Sequence, residues 1–221
     1  MNTNLGLIAK KLGNTQIFNE DGSVTRVTVL SVGPCIVVGK RTDDKDGYSA
    51  LVLGFGEKKD KFVRKPQAGQ WAKLGVKAPL HVKEFRLPAE TVAKFEIGAL
   101  LKPSEIFTVG QFVDAQGMTR GRGFTGVMAR WNFKGAATLT HGTHEYMRHG
   151  GSIGTNMTPG RTLAGVVKMP GQYGNEQVTM LNLKIARIMD EEQILLVEGG
   201  VPGSKNGIVT IKAAVKKLPK N

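Results

Sequence analysis

Sixty-one consecutive residues in the middle of this chain, 115–175, show no sustained period of either 2 or 3.6. A stretch of that length without alternation lacks the pattern by which strands and amphipathic helices build a core. Glycine recurs through it, at Gly121, Gly123, Gly126, Gly135, Gly142, Gly150, Gly151, Gly154, Gly160, Gly165, Gly171 and Gly174. Over the whole chain 29 of 221 residues are glycine, well above the usual ~7%. The segment carries Arg120, Arg122, Arg130, Lys134, Arg148, Arg161 and Lys168 against a lone acid, Glu145, a net of +6. Of the formal net charge of +13, the flanks 1–114 and 176–221 hold only +5 and +2, with both signs interspersed. Such an insertion is intelligible when something outside the protein orders it. Backbone groups that cannot pair internally need an external partner. A phosphate-rich RNA accepts hydrogen bonds from N–H, Arg and Lys together, and glycine lets the backbone approach closely.

The flanks read differently. Residues 23–32, 35–38 and 48–53 are short β-branched runs separated by turn signals such as Thr42–Gly47. Residues 107–113 predict another strand. Residues 178–188 and 194–198 predict a hairpin joined across Met189–Gln193, and Ile208–Ile211 a last strand after VPGSKNG. Only residues 67–74, which follow Pro66 and include Trp71, predict a helix. With 40% hydrophobic and 22% charged residues the chain is of the folded type. The expectation is a mainly β protein: an antiparallel, closed or nearly closed barrel with few short helices, built from 1–114 and 176–221 and interrupted by the basic extension 115–175.

Cys35, the single cysteine, sits in an apolar run and predicts a buried, unreactive thiol. A chain with one cysteine can form no internal disulfide, which suits a reducing cytoplasm. The N-terminal apolar run Leu5–Ala9 is too short for a secretory signal, the first arginine is only Arg26, and no stretch reaches membrane-spanning length.

Two motifs in the extension tempt a catalytic reading. Gly121–Gly126 matches G-x-G-x-x-G, which leaves a nucleotide-binding barrel enzyme as an alternative. A dinucleotide fingerprint, however, needs a strand before it, a helix after it and an acidic residue about 20 residues on. His141, His144, Glu145 and His149 invite a zinc reading, but His144 and His149 are five apart and glycines surround them, unlike the i, i+4 pair of a zinc helix. Histidines that stack on bases or bond phosphates fit a cationic loop, as do solvated histidines without a role. The aromatics Phe124, Trp131, Phe133, Tyr146 and Tyr173 are interleaved with the cations. For Trp131 two readings stand level: a platform for an unstacked base, or a pin holding the loop together. No catalytic set, metal or cofactor is predicted. A stand-alone nucleic-acid-binding regulator is the other alternative.

Several segments resemble, in order and spacing, the bacterial form of the universal large-ribosomal-subunit protein three (L-three) family. They are GLIAKKLGNTQIF at Gly6–Phe18, VTVLSVGPCIVV, Lys45–Lys59, Phe107–Gly135, GGSIGTNMTPGR at Gly150–Arg161, KMPGQYGNEQVT at Lys168–Thr179 and VEGGVPGSKNG. The resemblance spans essentially the whole chain. It implies a translation-protein-type β-barrel with a long internal extension threading into large-subunit rRNA. The tip, Gly150–Arg161 with Asn156, Met157 and Thr158 at its apex, would approach the peptidyl transferase centre without joining the chemistry. It further implies binding near the 3′ end of the large rRNA, early assembly, and neighbours that include large-subunit proteins fourteen and nineteen. The expected RNA-binding set comprises Lys10 and Lys11 of the opening motif, then Arg120, Arg122, Arg130, Trp131, Phe133, Lys134, His141, His144, Arg148 and His149. It continues through Gly151, Ser152, Gly154, Asn156, Met157, Thr158, Pro159, Gly160 and Arg161 to Lys168, Met169 and Gly171. Ala9 and Asn14 depart from the family's usual glycine and methionine. Met157 stands where many members carry a glutamine that some bacteria methylate, so this chain has no amide to modify there. The basic run that usually precedes K-M-x-G is thinned to Leu163–Val167.

Overall fold

In the computed structural model, which describes residues 5–137, 141–154 and 167–217, the first strand explains much of the architecture. β1 (Gly6–Phe18) begins with four consecutive buried residues, Gly6 to Ala9. A strand buried at successive positions needs cover on both faces. Leu7 lies in register with Ile211, and Ile211 with Ala115, so this row faces inward. Ile8 lies in register with Thr210, whose hydroxyl receives Lys83 from a second sheet. The inner row lines a barrel and the outer row is roofed by that sheet.

The barrel closes from six antiparallel strands in the order β1, β12 (Ile208–Ala213), β7 (Phe112–Met118), β10 (Gln177–Met189), β11 (Ile194–Glu198) and β2 (Val24–Ser31). The roof is a four-stranded sheet ordered β5 (Pro79–Arg86), β4 (Ala50–Glu57), β3 (Cys35–Arg41) and β6 (Leu100–Leu101). Among the described residues β8 (Gly123–Thr125) and β9 (Gly171–Tyr173) pair only with each other. Five short α-helices intervene among the described residues: α1 (Asp43–Asp46), α2 (Lys65–Lys73), α3 (Ala89–Ala93), α4 (Pro103–Ile106) and α5 (Val127–Trp131).

Barrel and roof share one hydrophobic core. Leu7, Leu30, Ile185, Leu195 and Ile211 fill the barrel, while Leu51, Leu53, Phe85 and Phe107 continue it beneath the second sheet. Burying a side chain the size of Phe85 stabilises the fold by roughly 1.5–3 kcal/mol. Cys35 is in this core, its thiol directed at the carbonyls of Ile8 (3.2 Å) and Val32 (3.1 Å). Burial pushes the Cys35 pKa from 9.0 up to about 11, against a smaller opposing effect of the Ile8 carbonyl bond. Asp114 is buried as well; its carboxylate accepts the N–H of Asn182 (2.9 Å) and of Val215 (3.3 Å). It thereby ties down a bulge in β10, where Asn182 takes a left-handed φ of 57°.

Three expectations shift. The strand expected at 107–113 is β7, displaced to Phe112–Met118, because Phe107 ends α4 and Thr108–Gln111 form a turn with Gly110 at φ 84°. Residues 115–118, counted with the extension on charge, are therefore barrel residues paired to β10 and β12. The turn expected at Thr42–Gly47 contains the single-turn helix α1, closed by Gly47 at φ 73°. The chain divides into two compact units: residues 1–119 with 177–221, and Arg120–Glu176.

Candidate nucleic-acid interface

The Arg120–Glu176 unit starts and ends on the β8–β9 ladder, which pairs Gly123 with Tyr173, Phe124 with Gln172 and Thr125 with Gly171. Arg122 extends the pairing through its N–H to the Tyr173 carbonyl at 2.8 Å, and its guanidinium lies 5.1 Å from the Tyr173 ring centroid. Gly174, at φ 72°, admits the close approach: a Cβ there would collide with the Arg120 carbonyl. The glycine motif of residues 121–126 thus holds a short strand, Gly123–Thr125, at its centre rather than forming a phosphate-cradling loop. The helix that follows, α5, has five residues and ends at Asn132 with φ 61°. This is not the strand–loop–helix geometry that cradles a dinucleotide.

Trp131 closes the next step. Its indole N–H donates to the Met169 carbonyl at 2.8 Å, and Arg130 Nη1 donates to the same oxygen at 2.9 Å. The Arg130 guanidinium lies 4.8 Å and the Lys168 ammonium 5.4 Å from the Trp131 ring centroid, a cation–π arrangement. Gly171 leaves room for Arg130, whose Nη1 would lie 2.6 Å from a Cβ at that position. Of the two readings of Trp131, the geometry realises the pin: it joins the two arms and orients two cations.

Beyond this clasp the chain makes a compact turn. The Ala136 N–H meets the Met147 carbonyl (3.2 Å), and the buried Thr143 hydroxyl donates to Ala137 (3.3 Å). Gly135, at φ 74°, is required there, since a Cβ would strike the Met147 carbonyl. Phe133, Lys134, Tyr146, His149 and Gly150 line an open hollow of about 540 Å³. His149 is exposed at its edge, His141, His144 and Arg148 are exposed elsewhere on the same turn, and Ser152 donates its hydroxyl to the Gly154 carbonyl at 2.7 Å near exposed Gly151. Among the described residues no group of three or more His, Cys, Asp or Glu is placed to share a metal. The apex positions Asn156, Met157, Thr158, Pro159, Gly160 and Arg161 lie outside the described residues.

Arg120, Arg122, Lys134, Arg148 and Lys168 are all exposed, and Arg130 is half-buried. Among the described residues of this unit only Val127, Thr143 and Gly174 are buried. Phe124, read only as an interleaved aromatic, is 81% exposed.

One expected RNA contact needs correction. Lys11 is only 7% exposed, and its ammonium donates to the carbonyls of Val201 (2.6 Å) and Gly203 (3.3 Å). Its backbone also pairs with Gly207 and Asn206. Lys11 holds the β11–β12 loop against β1 and is not presented to a ligand. Its neighbour Lys10 is half-buried. No helix among the described residues is long and apolar enough to cross a membrane.

Comparison with known proteins bears on this arrangement. Residues 81–193 match the family model described as ribosomal protein L3. The chain is 60% identical over 217 residues to the large ribosomal subunit protein uL3 of Sorangium cellulosum, covering 98% of this chain and 92% of that protein. It is 49% identical to the uL3 protein of Myxococcus xanthus (96% and 93% covered) and 44% identical to that of Anaeromyxobacter sp. strain Fw109-5 (97% and 92%).

Proposed function

The chain belongs to the ribosomal protein L3 family, and from that premise we propose that its Arg120–Glu176 unit carries it into the RNA of the large ribosomal subunit. It is a structural constituent of that subunit, not an enzyme, and associates there with large-subunit rRNA and other ribosomal proteins. The observation that supports this use of the unit is its composition in space. Its described cations are exposed, except half-buried Arg130, its only acids are Glu145 and the terminal Glu176, and almost none of its described side chains is buried. A segment with so little core gains by trading water for phosphate oxygens, and each such contact releases counterions.

In this reading the β8–β9 ladder and the Trp131 clasp set the base of the extension. Arg120, Arg122, Arg130, Lys134, Arg148 and Lys168 reach phosphates, and Phe124 and the hollow beside Phe133 and Tyr146 take unstacked bases. Gly150–Arg161 is the tip, directed toward the peptidyl transferase centre, with Met157 unable to carry an amide methyl group. The protein binds near the 3′ end of the large rRNA, acts early in assembly, lies beside large-subunit proteins fourteen and nineteen, and works in the cytoplasm.

The test replaces residues 121–175 by a short Gly/Ser linker and measures binding to transcribed large-subunit rRNA against salt. The slope of log affinity on log salt should fall by roughly 0.7–0.9 for every phosphate contact removed. An unchanged affinity and slope would place the main RNA contact elsewhere.

A further inference from the structure

Strand β5 lies against the barrel along a seam with β12. Lys83 and Phe85, two apart on β5, meet Thr210 and Lys212, two apart on β12. Lys83 Nζ donates to Thr210 Oγ1 at 2.9 Å and to Gln116 Oε1 at 3.0 Å. The Lys212 ammonium lies 5.1 Å from the Phe85 ring centroid. Residues two apart on a strand share a face about 7 Å from each other, so the two ammonium groups occupy neighbouring steps of one seam. Gly6 sits in register with Lys212 and leaves the space that Lys212 and Phe85 fill. A Cβ there would lie 2.7 Å from Lys212 Cγ and 2.8 Å from Phe85 Cε1.

Both lysines are half-buried, and among the described residues neither forms an ion pair with a carboxylate. The acid opposite Lys212 in register is Asp114, whose oxygens accept the N–H groups of Asn182 and Val215. Other ionisable residues at same-face positions are His81 on β5 and Lys10 on β1, neither of which supplies negative charge, and Glu57 on β4, opposite Pro79, which pairs with Lys77 at 3.2 Å. Burial lowers both lysine pKa values from the ordinary 10.5, and the like charge of Lys212 lowers that of Lys83 further. Two half-buried cations side by side with no ion-pair contact among the described residues are held at a cost, and an anion between them would offset it.

We propose that Lys83 and Lys212 bind a backbone phosphate of the large-subunit RNA, a contact on the globular unit separate from the extension. The proposal rests on family membership and not on the role of the Arg120–Glu176 unit. Phosphate is the fitting anion because it accepts from two ammonium groups at once and because RNA is the polyanion of the subunit.

The experiment uses full-length protein and transcribed large-subunit rRNA. For K83Q/K212Q the salt slope should fall by about 0.7–0.9, the value for one phosphate, and affinity near 0.1 M salt should fall several-fold. K83R/K212R should keep the wild-type slope. A urea midpoint for the Gln pair at or above wild type shows that the fold is intact. Wild-type protein supplies a second readout: both amines should be acylated readily at pH 8 when free and be protected in the rRNA complex. Unchanged slope without protection would make the pair a neutral staple between β5 and the barrel, overturning the proposal. Protection in whole subunits but not in the protein–rRNA complex would overturn it in favour of a protein carboxylate. R122Q/K134Q, measured alongside, reads the extension separately, so either idea can fail alone.

Discussion

The globular unit and the Arg120–Glu176 unit are made from one chain on opposite principles. In the first, Leu7, Leu30, Phe85, Ile185 and Ile211 are buried essentially completely, and even polar groups such as Asp114 and Lys11 are drawn in and given partners. In the second, Val127 is the one buried hydrophobic side chain among the described residues, and order comes from a three-residue ladder, a shared carbonyl and cations over rings. A unit held by packing loses stability when a side chain is trimmed. A unit held by sparse polar contacts loses orientation instead, and with it whatever its cations are aimed at.

Substitutions should separate these behaviours. The largest effect is expected at Phe85→Ala, which empties a fully buried site shared by barrel and roof and should cost about 3–5 kcal/mol in urea unfolding. A loss below 1 kcal/mol would show that the two sheets are not energetically joined. Asp114→Ala leaves two backbone N–H groups without their acceptor and should cost about 3 kcal/mol by the same measurement. The smaller Asp114→Asn loss would show how much of this depends on the charge.

Cys35 yields a pH-dependent effect. Its folded pKa of about 11 lies above the ordinary 9.0, so between those values the unfolded chain has released the thiol proton and the folded one has kept it. Stability is therefore fully present below pH 9 and falls as pH rises toward 11, by about 2–3 kcal/mol at most. Cys35→Ala should flatten that part of the profile. Alkylation of the native thiol at pH 8 should be slow and should accelerate on unfolding.

The smallest global effect belongs to Trp131→Phe, which keeps a ring but removes the donor to Met169. Its urea midpoint should stay within about 0.5 kcal/mol of wild type. Amide exchange at Gly123–Thr125 and Gly171–Tyr173 should nonetheless quicken, and rRNA affinity should fall several-fold. A large shift in the global midpoint would erase the contrast between the two units.

Much of the globular unit was legible locally. β2, β3, β4, the β10–β11 hairpin and β12 follow from β-branched runs bounded by turn residues, and α2 from Pro66 and Trp71. β5 was not legible, because Leu80, Val82 and Glu84 on its outer face are exposed and blur the alternation. β7 was displaced by five residues because FTVGQFV is β-like in composition while Gly110 bends its middle. In the extension the exposed cations could be read from charge alone, but the clasp of Trp131 on Met169 joins positions 38 apart, with no local signal.

The sequence by itself determined the sign of the charge and where it concentrates, the β character of the flanks, and membership of the family through ordered motifs. These properties depend on residue type and short spacing. Only the tertiary structure decided what each cation does. Lys11 looks like Lys10 until closure of the barrel brings Val201 and Gly203 to its ammonium across 190 residues. Lys83 and Lys212 look like ordinary strand lysines until β5 is laid against β12. Burial and hydrogen-bond partners are set by long-range contacts, and those set whether a charge serves the fold or faces a ligand.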